Sequence, residues 1–213
     1  MAGNPKTARL IRLSGTAANI RLSVADRSFL KDLSRVQLIS SDLADKNHYN
    51  HLKGLSARSL ERLEKAGLIT SKQLYQHGAT PVKIYQFADK SIAGAFGGKL
   101  PVTGAKRTDL HELMASRAYF ELGCPETFKL ATAFSKAEIA LCGSMRPDAI
   151  YTDTETGEMV LVEADSGNYR TSQIKAKVAR WRAAGLIRQV WAQPRHLRVA
   201  QVPPLPGISV MRL

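Results

Sequence analysis

Two short apolar runs that flank a polar turn in the second half of the chain constrain its fold more than any other feature. Residues 146–151 lead into the polar stretch 153–158, and residues 159–165 lead out of it. Apolar runs on both sides of a tight polar turn predict an antiparallel β-hairpin. If the turn centres between Glu155 and Thr156, paired residues have numbers that add to 311, as 148 and 163 do. The hairpin therefore predicts that Asp148 and Glu163 lie side by side.

Asp148 and Glu163 are the first candidate site residues. Directly opposed residues of an antiparallel pair have Cβ atoms about 5 Å apart, so both carboxylates can coordinate one hard cation. Asp165 follows Glu163 by two positions and, because strand side chains alternate, is expected on the same face. Three acids on one face repel one another unless a cation or basic neighbours compensate. A Mg²⁺ or Mn²⁺ ion held there would activate water and stabilise charge on a phosphoryl oxygen, as phosphodiester cleavage requires.

The net charge indicates the kind of partner. The chain has 31 basic and 18 acidic side chains, a formal net charge of +13, and is 44% hydrophobic. Residues 1–100 hold 16 basic and 7 acidic side chains, net +9, and residues 101–213 hold 15 and 11, net +4. Such an excess on a globular chain makes a polyanion the expected partner.

Several other classes of protein are disfavoured. No apolar run approaches the ~18 residues of a membrane-spanning helix, and basic residues interrupt the N-terminal segment where a signal peptide would lie. Cys124 and Cys142 are too few for a disulfide framework or a four-cysteine zinc site. The sequence contains no Gly-x-x-x-x-Gly-Lys phosphate loop, so ATP hydrolysis is not expected. A cytoplasmic protein with no membrane insertion and two reduced, partly buried thiols is predicted.

Glycines and a proline between residues 94 and 104 predict a linker. We therefore expect two domains, residues 1–97 and residues 98–213. The tail 202–207 is predicted to be a terminal extended segment because it is rich in proline.

The first domain is predicted to be a winged helix-turn-helix. Ser23 caps a helix over 24–38, a short helix starts at Ser40 or Ser41, and a third runs from Ser56 to Gly67. Two β-prone segments, 70–75 and 81–87, then predict a hairpin. In this arrangement the third helix enters the major groove and the hairpin lies along the phosphate backbone. The candidate DNA-binding residues are Ser56, Arg58, Ser59, Arg62 and Lys65 on the helix and Lys83 on the hairpin.

The second domain is predicted to mix helices with the hairpin. Apolar spacing predicts helices over 108–122, 128–141 and 171–181, and a strand over 188–194. Trp181 and Trp191 are expected to fill its core.

Pro147-Asp148 at the start of one strand and Glu163-Ala164-Asp165 on the next resemble the PD-(D/E)XK nuclease superfamily. The resemblance implies an α/β nuclease-like domain in which Asp148, Glu163 and the Ala164 carbonyl bind the metal ion. In this chain Asp165 occupies the position of the motif's lysine. Either a basic residue reaches the site from elsewhere or activity is lost.

Some members of the superfamily carry the lysine on the following helix, which makes Lys175 and Lys177 the candidates here. Some also use an additional acid from a helix, for which Glu138 is the candidate. The fold class implied for the whole chain is α+β or α/β, a winged helix followed by a nuclease-like domain.

A narrower resemblance covers nearly the whole chain. A winged helix, Ala-Glu before Arg-Pro-Asp-Ala, Val-Glu-Ala-Asp-Ser-Gly and a helix with paired lysines are similar to the replication-relaxation family and to MOBC-type plasmid relaxases. This implies a site-specific protein that binds double-stranded DNA at a plasmid origin and nicks it with Mg²⁺ or Mn²⁺ during mobilisation by conjugation or during replication. A homodimer and accessory mobilisation or replication proteins are left open as partners. The alternative is a non-catalytic DNA-binding accessory or transcriptional regulator with a degenerate nuclease fold.

Overall fold

A computed structural model describes residues 20–50, 56–75, 81–100, 106–195 and 201–213, with backbone alone for 106–108. Within these ranges the chain is mixed α+β, with seven α-helices and two β-sheets. Two compact units are formed: the residues up to Ser34 with Ser40–Leu100, and Arg35–Ile39 with the residues that follow Leu100. The end of the first helix thus belongs to the second unit, while the predicted domain boundary lies between residues 97 and 98.

The first unit contains helices followed by an antiparallel hairpin. Its three-stranded sheet has β3 (Val82–Phe87) in the centre, between β1 (Ile39–Ser40) and β2 (Ile69–Leu74). Strands β2 and β3 pair from Ile69↔Phe87 to Leu74↔Val82. The elements, in chain order, are α1 (Val24–Val36), β1 (Ile39–Ser40), α2 (Ser41–Ala44) with a π-helical continuation (Asp45–Tyr49), α3 (Ser56–Lys65), β2 (Ile69–Leu74), β3 (Val82–Phe87) and α4 (Lys90–Ala95).

The predicted helices and hairpin of the first unit are confirmed, and their ends have the expected causes. The Ser23 hydroxyl accepts the Asp26 N–H at 3.1 Å, while the Asp26 carboxylate accepts the Ser23 N–H at 2.7 Å. Gly67, with φ +70°, ends α3, and the Leu68 N–H returns to the Leu63 carbonyl at 3.0 Å. These are reciprocal N-terminal capping and a left-handed C-terminal stop.

The prediction of a linker that begins at residue 94 needs correction. Helix α4 begins after Asp89, whose carboxylate accepts the Ile92 N–H at 2.9 Å, so residues 94 and 95 are helical rather than linker. A side-chain cap outweighs the low helix propensity of Gly94. The predicted linker residues 101–104 and the hairpin loop 76–80 lie outside the described residues.

A buried carboxylate organises the core of the first unit. Asp26 is fully buried and accepts the Tyr49 hydroxyl at 3.2 Å. Arg62 of α3 forms an ion pair with the same carboxylate and also donates to the Arg21 carbonyl at 3.1 Å. Burial, and then the Asp26 charge, raise the pKa of Tyr49. Phe29 packs beside this network, 6.0 Å from the Tyr49 ring. The network therefore ties α1, the π-helical turn and α3 together.

The second unit is built on one mixed five-stranded sheet of order β4-β5-β6-β7-β8. Strand β5 is antiparallel to both β4 and β6, whereas β7 is parallel to both β6 and β8. The elements are α5 (Lys106–Glu121), β4 (Lys129–Leu130), a 3-10 turn (Ala131–Ala133), α6 (Lys136–Cys142), β5 (Ala149–Thr152), β6 (Met159–Ala164), α7 (Thr171–Ala183), β7 (Gln189–Gln193) and β8 (Ile208–Arg212).

The predicted hairpin register is confirmed. Strand β5 pairs with β6 from Ala149↔Val162 to Thr152↔Met159, so every pair of residue numbers adds to 311. The turn is closed by the Asp153 carboxylate, which accepts the N–H groups of Glu155 at 2.9 Å and Thr156 at 3.2 Å. Gly157, with φ +70°, completes it. A short polar side chain that bonds to the backbone two residues later is a strong local turn signal.

The predicted helix over 128–141 is wrong in its first half. Leu130 pairs with Ala149 at the edge of the sheet, and α6 begins only after Ser135. The Ser135 hydroxyl accepts the Glu138 N–H at 3.2 Å while Glu138 accepts the Ser135 N–H at 2.6 Å. This capping box marks a helix start inside the apolar run, and spacing of apolar residues alone does not reveal it.

The C-terminal tail also differs from its prediction. The proline-rich residues extend as far as the turn at Gly207, but a strand then follows, β8, which pairs with β7 from Gln189↔Ile208 to Gln193↔Arg212. Pairing with a parallel strand depends on contacts with residues distant in sequence, so the local sequence of the tail did not predict a strand.

Two tryptophans fill the core of the second unit, as predicted. Trp181 of α7 and Trp191 of β7 are both fully buried, with ring centroids 5.9 Å apart. The Trp181 indole N–H donates to the Met145 carbonyl at 2.6 Å, so its polar atom is satisfied. Cys124 and Cys142 form no disulfide; Cys142 is buried and Cys124 is half-buried.

We expect Arg62→Ala to lower the free energy of unfolding by about 1–3 kcal/mol, because it removes a charged partner of the buried Asp26 carboxylate. Arg58→Ala removes an exposed arginine of the same helix and should change stability by less than about 0.5 kcal/mol. Urea denaturation of both variants measures the difference. Equal effects would show that the Asp26–Arg62 pair does not stabilise the unit.

Candidate functional site

Asp148 is fixed at the start of β5 by the strands on both sides. Its carbonyl accepts the Ala131 N–H at 2.9 Å, and its Oδ2 accepts the Ala164 N–H at 2.7 Å. The paired register ends at Ala149↔Val162, so Asp148 and Glu163 are the next residues on the two sides of the hairpin, and the charge of Asp148 acts on Glu163. Main-chain N–H groups on both sides therefore hold Asp148 and its carboxylate in place.

Glu163 is a carboxylate buried within the sheet. Its side chain is 1% exposed, and its Oε1 accepts hydrogen bonds from Lys177 of α7 and from the Tyr169 hydroxyl. Lys177 also donates to the Tyr169 hydroxyl at 2.9 Å and lies 4.8 Å from the centre of the Tyr169 ring. The second oxygen, Oε2, is buried and has no hydrogen-bond partner among the described residues. A buried acceptor without a partner costs free energy, so this oxygen is open to a cation or another donor.

The pKa values of both carboxyls are raised. Burial, and then the charge of Asp148, raise the pKa of Glu163 to about 7, against the opposing effect of Lys177. Burial also raises the pKa of Asp148, against the Ala164 N–H and Lys177. Carboxylates that resist ionisation beside a lysine are a frequent property of functional sites.

Asp165 stands where the PD-(D/E)XK motif has its lysine, and it has polar partners of its own. Its carboxylate is fully buried and accepts the Gly167 N–H at 2.8 Å and the Gln193 amide N–H at 3.0 Å. Its charge acts on Asp148, so the three acids do lie close to one another. The two partners allow Asp165 to remain buried beside the other acids.

The structure distinguishes the two candidate lysines. Lys177 is 17% exposed and contacts Glu163, whereas Lys175 is exposed on another side of α7. Glu138 is engaged elsewhere, in the capping box of α6 and in an ion pair with Lys129 at 2.7 Å. Its pKa is lowered, chiefly by the Lys129 hydrogen bond. Of the helix-borne candidates, Lys177 therefore joins the acids.

Two residues of the cluster were not identified as site residues from sequence. His111 of α5 places its Nδ1 4.0 Å from Asp148 Oδ2 and its Nε2 3.2 Å from the Ser166 hydroxyl. Tyr169 bonds both Glu163 and Lys177. The sequence carries no signal that His111 meets Asp148, since the two are joined only by tertiary packing. The only feature of the sequence that pointed to Tyr169 as a site residue is its position six residues after Glu163.

The residues present suit the implied metal ion. Among the residues that the structure describes, no group of three or more His, Cys, Asp or Glu side chains forms a metal site. The set implied by the resemblance needs only two, Asp148 and Glu163, with the Ala164 carbonyl. The unsatisfied Oε2 of Glu163 and the raised pKa of both carboxyls are the features that a divalent cation would relieve.

The predicted DNA-binding residues of the first unit differ in their surroundings. Arg58 is exposed on α3, and Ser56 and Ser59 are half-buried. Arg62 is committed to Asp26, as described above. Lys65 pairs with Glu61 of its own helix at 2.7 Å, and Lys83 lies 3.5 Å from Glu64. Arg58 is thus the predicted residue whose charge is most open to an external anion.

Comparisons with known proteins identify no relative: no protein-family model, no curated protein and no solved structure matches the chain. Over its described residues, the protein has no helix with the length and apolar character needed to cross a membrane.

The raised pKa of Glu163 predicts a specific dependence of stability on pH. A carboxyl whose pKa in the folded chain exceeds its ordinary value of 4.5 supports folding fully below pH 4.5 and loses that contribution as the pH rises toward 7. The free energy of unfolding should therefore lose up to about 1.4 kcal/mol per pH unit in this window through Glu163 alone.

Glu163→Gln cannot titrate, so its stability should fall less steeply than that of the wild type between pH 4.5 and 7. Urea denaturation across this range measures the slope. Glu155→Gln, in the exposed turn, is the matched control and should keep the wild-type slope. Identical slopes for Glu163→Gln and wild type would contradict the assignment.

Proposed function

We propose that this protein binds double-stranded DNA through its first unit and nicks it at the acid–lysine cluster of its second unit with Mg²⁺ or Mn²⁺. The cytoplasmic setting that fits the resemblance is plasmid mobilisation or replication. The observation that carries the proposal is the contact of Lys177 with Glu163, beside Asp148. Through this contact two carboxylates and one ammonium group lie together. The ammonium group supplies the positive charge that is missing from the motif because Asp165 replaces its lysine.

The order of elements supports a nuclease-like second unit. An antiparallel hairpin, β5–β6, is followed by helix α7 and by a strand parallel to β6. The acids stand on the hairpin and the lysine on the helix, as the resemblance implies. In the first unit, three helices before an antiparallel hairpin support a winged helix with α3 as its recognition helix.

Each residue has a chemical task in this proposal. Asp148, Glu163 and the Ala164 carbonyl would hold the cation, which supplies an acidified water and stabilises charge on the phosphoryl oxygens when bound. Lys177 would neutralise the attacked phosphate, and its ammonium group donates a hydrogen bond to the Tyr169 hydroxyl. Tyr169 keeps the Lys177 ammonium directed at the acids through its hydroxyl and its ring.

The proposal is tested with supercoiled plasmid that carries the protein's own origin region, in the presence of Mg²⁺ or Mn²⁺. Wild type should convert supercoiled to open-circular DNA, and Asp148→Ala, Glu163→Gln and Lys177→Met should each reduce the rate at least 100-fold, as is usual for essential catalytic groups. Circular dichroism checks that each variant is folded.

Lys175→Met is the matched control because it removes the same charge from the same helix outside the cluster, and it should nick at nearly the wild-type rate. Binding of the origin without nicking, by folded wild type with either metal, would overturn the nuclease and favour the regulator alternative. Equal losses in Lys175→Met and Lys177→Met would overturn the role of Lys177.

The DNA-binding part is tested separately on the same origin fragment without metal. Arg58→Ala should weaken binding several-fold and make the dependence of log Kd on log salt shallower by about one unit, as expected for one lost phosphate contact. Arg58→Lys retains the charge and should retain the salt dependence. Unchanged affinity and salt dependence in Arg58→Ala would remove α3 from the interface.

A further inference from the structure

Two exposed arginines of the second unit stand next to residues of the acid–lysine cluster. Arg146 lies two residues before Asp148, and Arg180 lies three residues after Lys177 on α7. Neither guanidinium group makes a hydrogen bond or an ion pair with another residue in the described part of the chain. We call Arg146 and Arg180 the arginine pair.

Both arginines approach the stretch of backbone where α6 ends. A Cβ atom added at Gly143 would lie 3.4 Å from Arg180 Nη2, so the Arg180 guanidinium group lies over this glycine. Burial, and then the charge of Glu138, raise the pKa of the Cys142 thiol, and the Arg146 charge opposes this rise, so Arg146 lies near Cys142. Two like charges that approach one place repel each other, and a bound anion removes that repulsion.

The arginine pair lies on the side of α7 that faces the acids. Residues three apart on a helix are neighbours, so Arg180 lies on the same flank as Lys177, which contacts Glu163. The Trp181 indole N–H donates to the Met145 carbonyl at 2.6 Å, which holds the segment that carries Arg146 against the same helix. Positive charge therefore continues from the acid–lysine cluster along this flank of the second unit.

The opposite flank of α7 also carries two basic residues. Lys175 and Arg182 are seven residues apart, which is two helical turns, so they share a side of the helix. Arg182 donates to the Pro206 carbonyl at 2.8 Å, away from the acids. One helix thus presents basic residues both beside the acid–lysine cluster and away from it.

Stabilisation of the end of α6 does not account for the arginine pair. Basic side chains near a helix C-terminus can donate to its last carbonyl groups, but neither Arg146 nor Arg180 makes such a bond among the described residues. The Gly143 N–H closes the helix on the Ile139 carbonyl at 3.0 Å. A guanidinium group has five N–H donors in a planar fork that matches a phosphate, and here they are open to an external acceptor.

We propose that the arginine pair binds phosphate groups of the DNA backbone next to the acid–lysine cluster, so that the second unit has a DNA-binding surface of its own. The inference rests on the proposed function for its choice of DNA as the polyanion. Two residues of extended chain span about 7 Å, and one DNA strand has a phosphate every ~3.4 Å, so Arg146 can reach phosphates adjacent to one held at Asp148. Such contacts position the strand and read no base.

The test is fluorescence anisotropy with the full chain and a short labelled duplex of random sequence, in EDTA, over a series of salt concentrations. The Arg146→Gln/Arg180→Gln double variant should bind at least about tenfold more weakly than wild type at ~100 mM salt. Its dependence of log Kd on log salt should be shallower by about two units, as expected for two lost phosphate contacts.

The matched control is the Lys175→Gln/Arg182→Gln double variant. It also removes two positive charges, but from the opposite flank of α7, and it should keep the wild-type salt dependence and a Kd within about twofold of wild type. Arg146→Lys/Arg180→Lys retains both charges and loses the fork, so it should keep the salt dependence with an intermediate Kd. Circular dichroism checks that each variant is folded.

Equal weakening in the two glutamine double variants would show an effect of net charge alone and would overturn the inference. So would unchanged DNA binding in Arg146→Gln/Arg180→Gln. A labelled oligoglutamate peptide is the second probe, because guanidinium groups also bind carboxylates. Loss of peptide binding with unchanged DNA binding in that variant would overturn the inference in favour of an acidic protein partner.

The outcomes separate this inference from the proposed function. If wild type binds the duplex and the arginine-pair variant binds it equally well, only the second DNA-binding surface fails. If wild type does not bind DNA at all, the DNA-binding part of the proposed function fails with it. Because EDTA removes the metal ion, the result does not depend on whether the protein nicks DNA.

Discussion

The pairing of β5 with β6 determines which groups can meet in the second unit. The register ends at Ala149↔Val162, directly before Asp148 and Glu163, and the Ala164 N–H bonds directly to the Asp148 carboxylate. Burial raises the pKa of both carboxyls, the charge of Asp148 adds to the rise at Glu163, and Lys177 opposes the rise at both. Helix α7 delivers Lys177 to Glu163 while it packs Trp181 into the core.

Structural and chemical roles are divided between neighbouring residues throughout the protein. On α7, Lys177 faces the acids whereas Lys175 faces solvent. On α3, Arg62 stabilises the buried Asp26 while Arg58 remains exposed. On β6 and the residue after it, Glu163 keeps an unsatisfied oxygen whereas Asp165 is satisfied by Gln193 and Gly167. The number of basic residues in a segment does not distinguish such roles, because the roles depend on which side chains are buried together.

Local patterns predicted much of the architecture. The caps at Ser23 and Gly67, the turn at Asp153–Gly157 and the hairpin register depend on contacts between residues close in sequence, and these predictions are confirmed. Two of the errors arose where long-range pairing overrode the local pattern. Leu130 became a strand because Ala149 was available as a partner, and β8 formed because β7 offered an open parallel edge.

The sequence by itself determined the register of the β5–β6 hairpin, because a tight turn leaves only one register. It also limited the missing lysine to two positions on one helix. Only the tertiary structure chose Lys177 and brought His111 to within 4.0 Å of Asp148. These contacts join residues far apart in the chain, and their geometry depends on how helices pack on a sheet rather than on any local propensity.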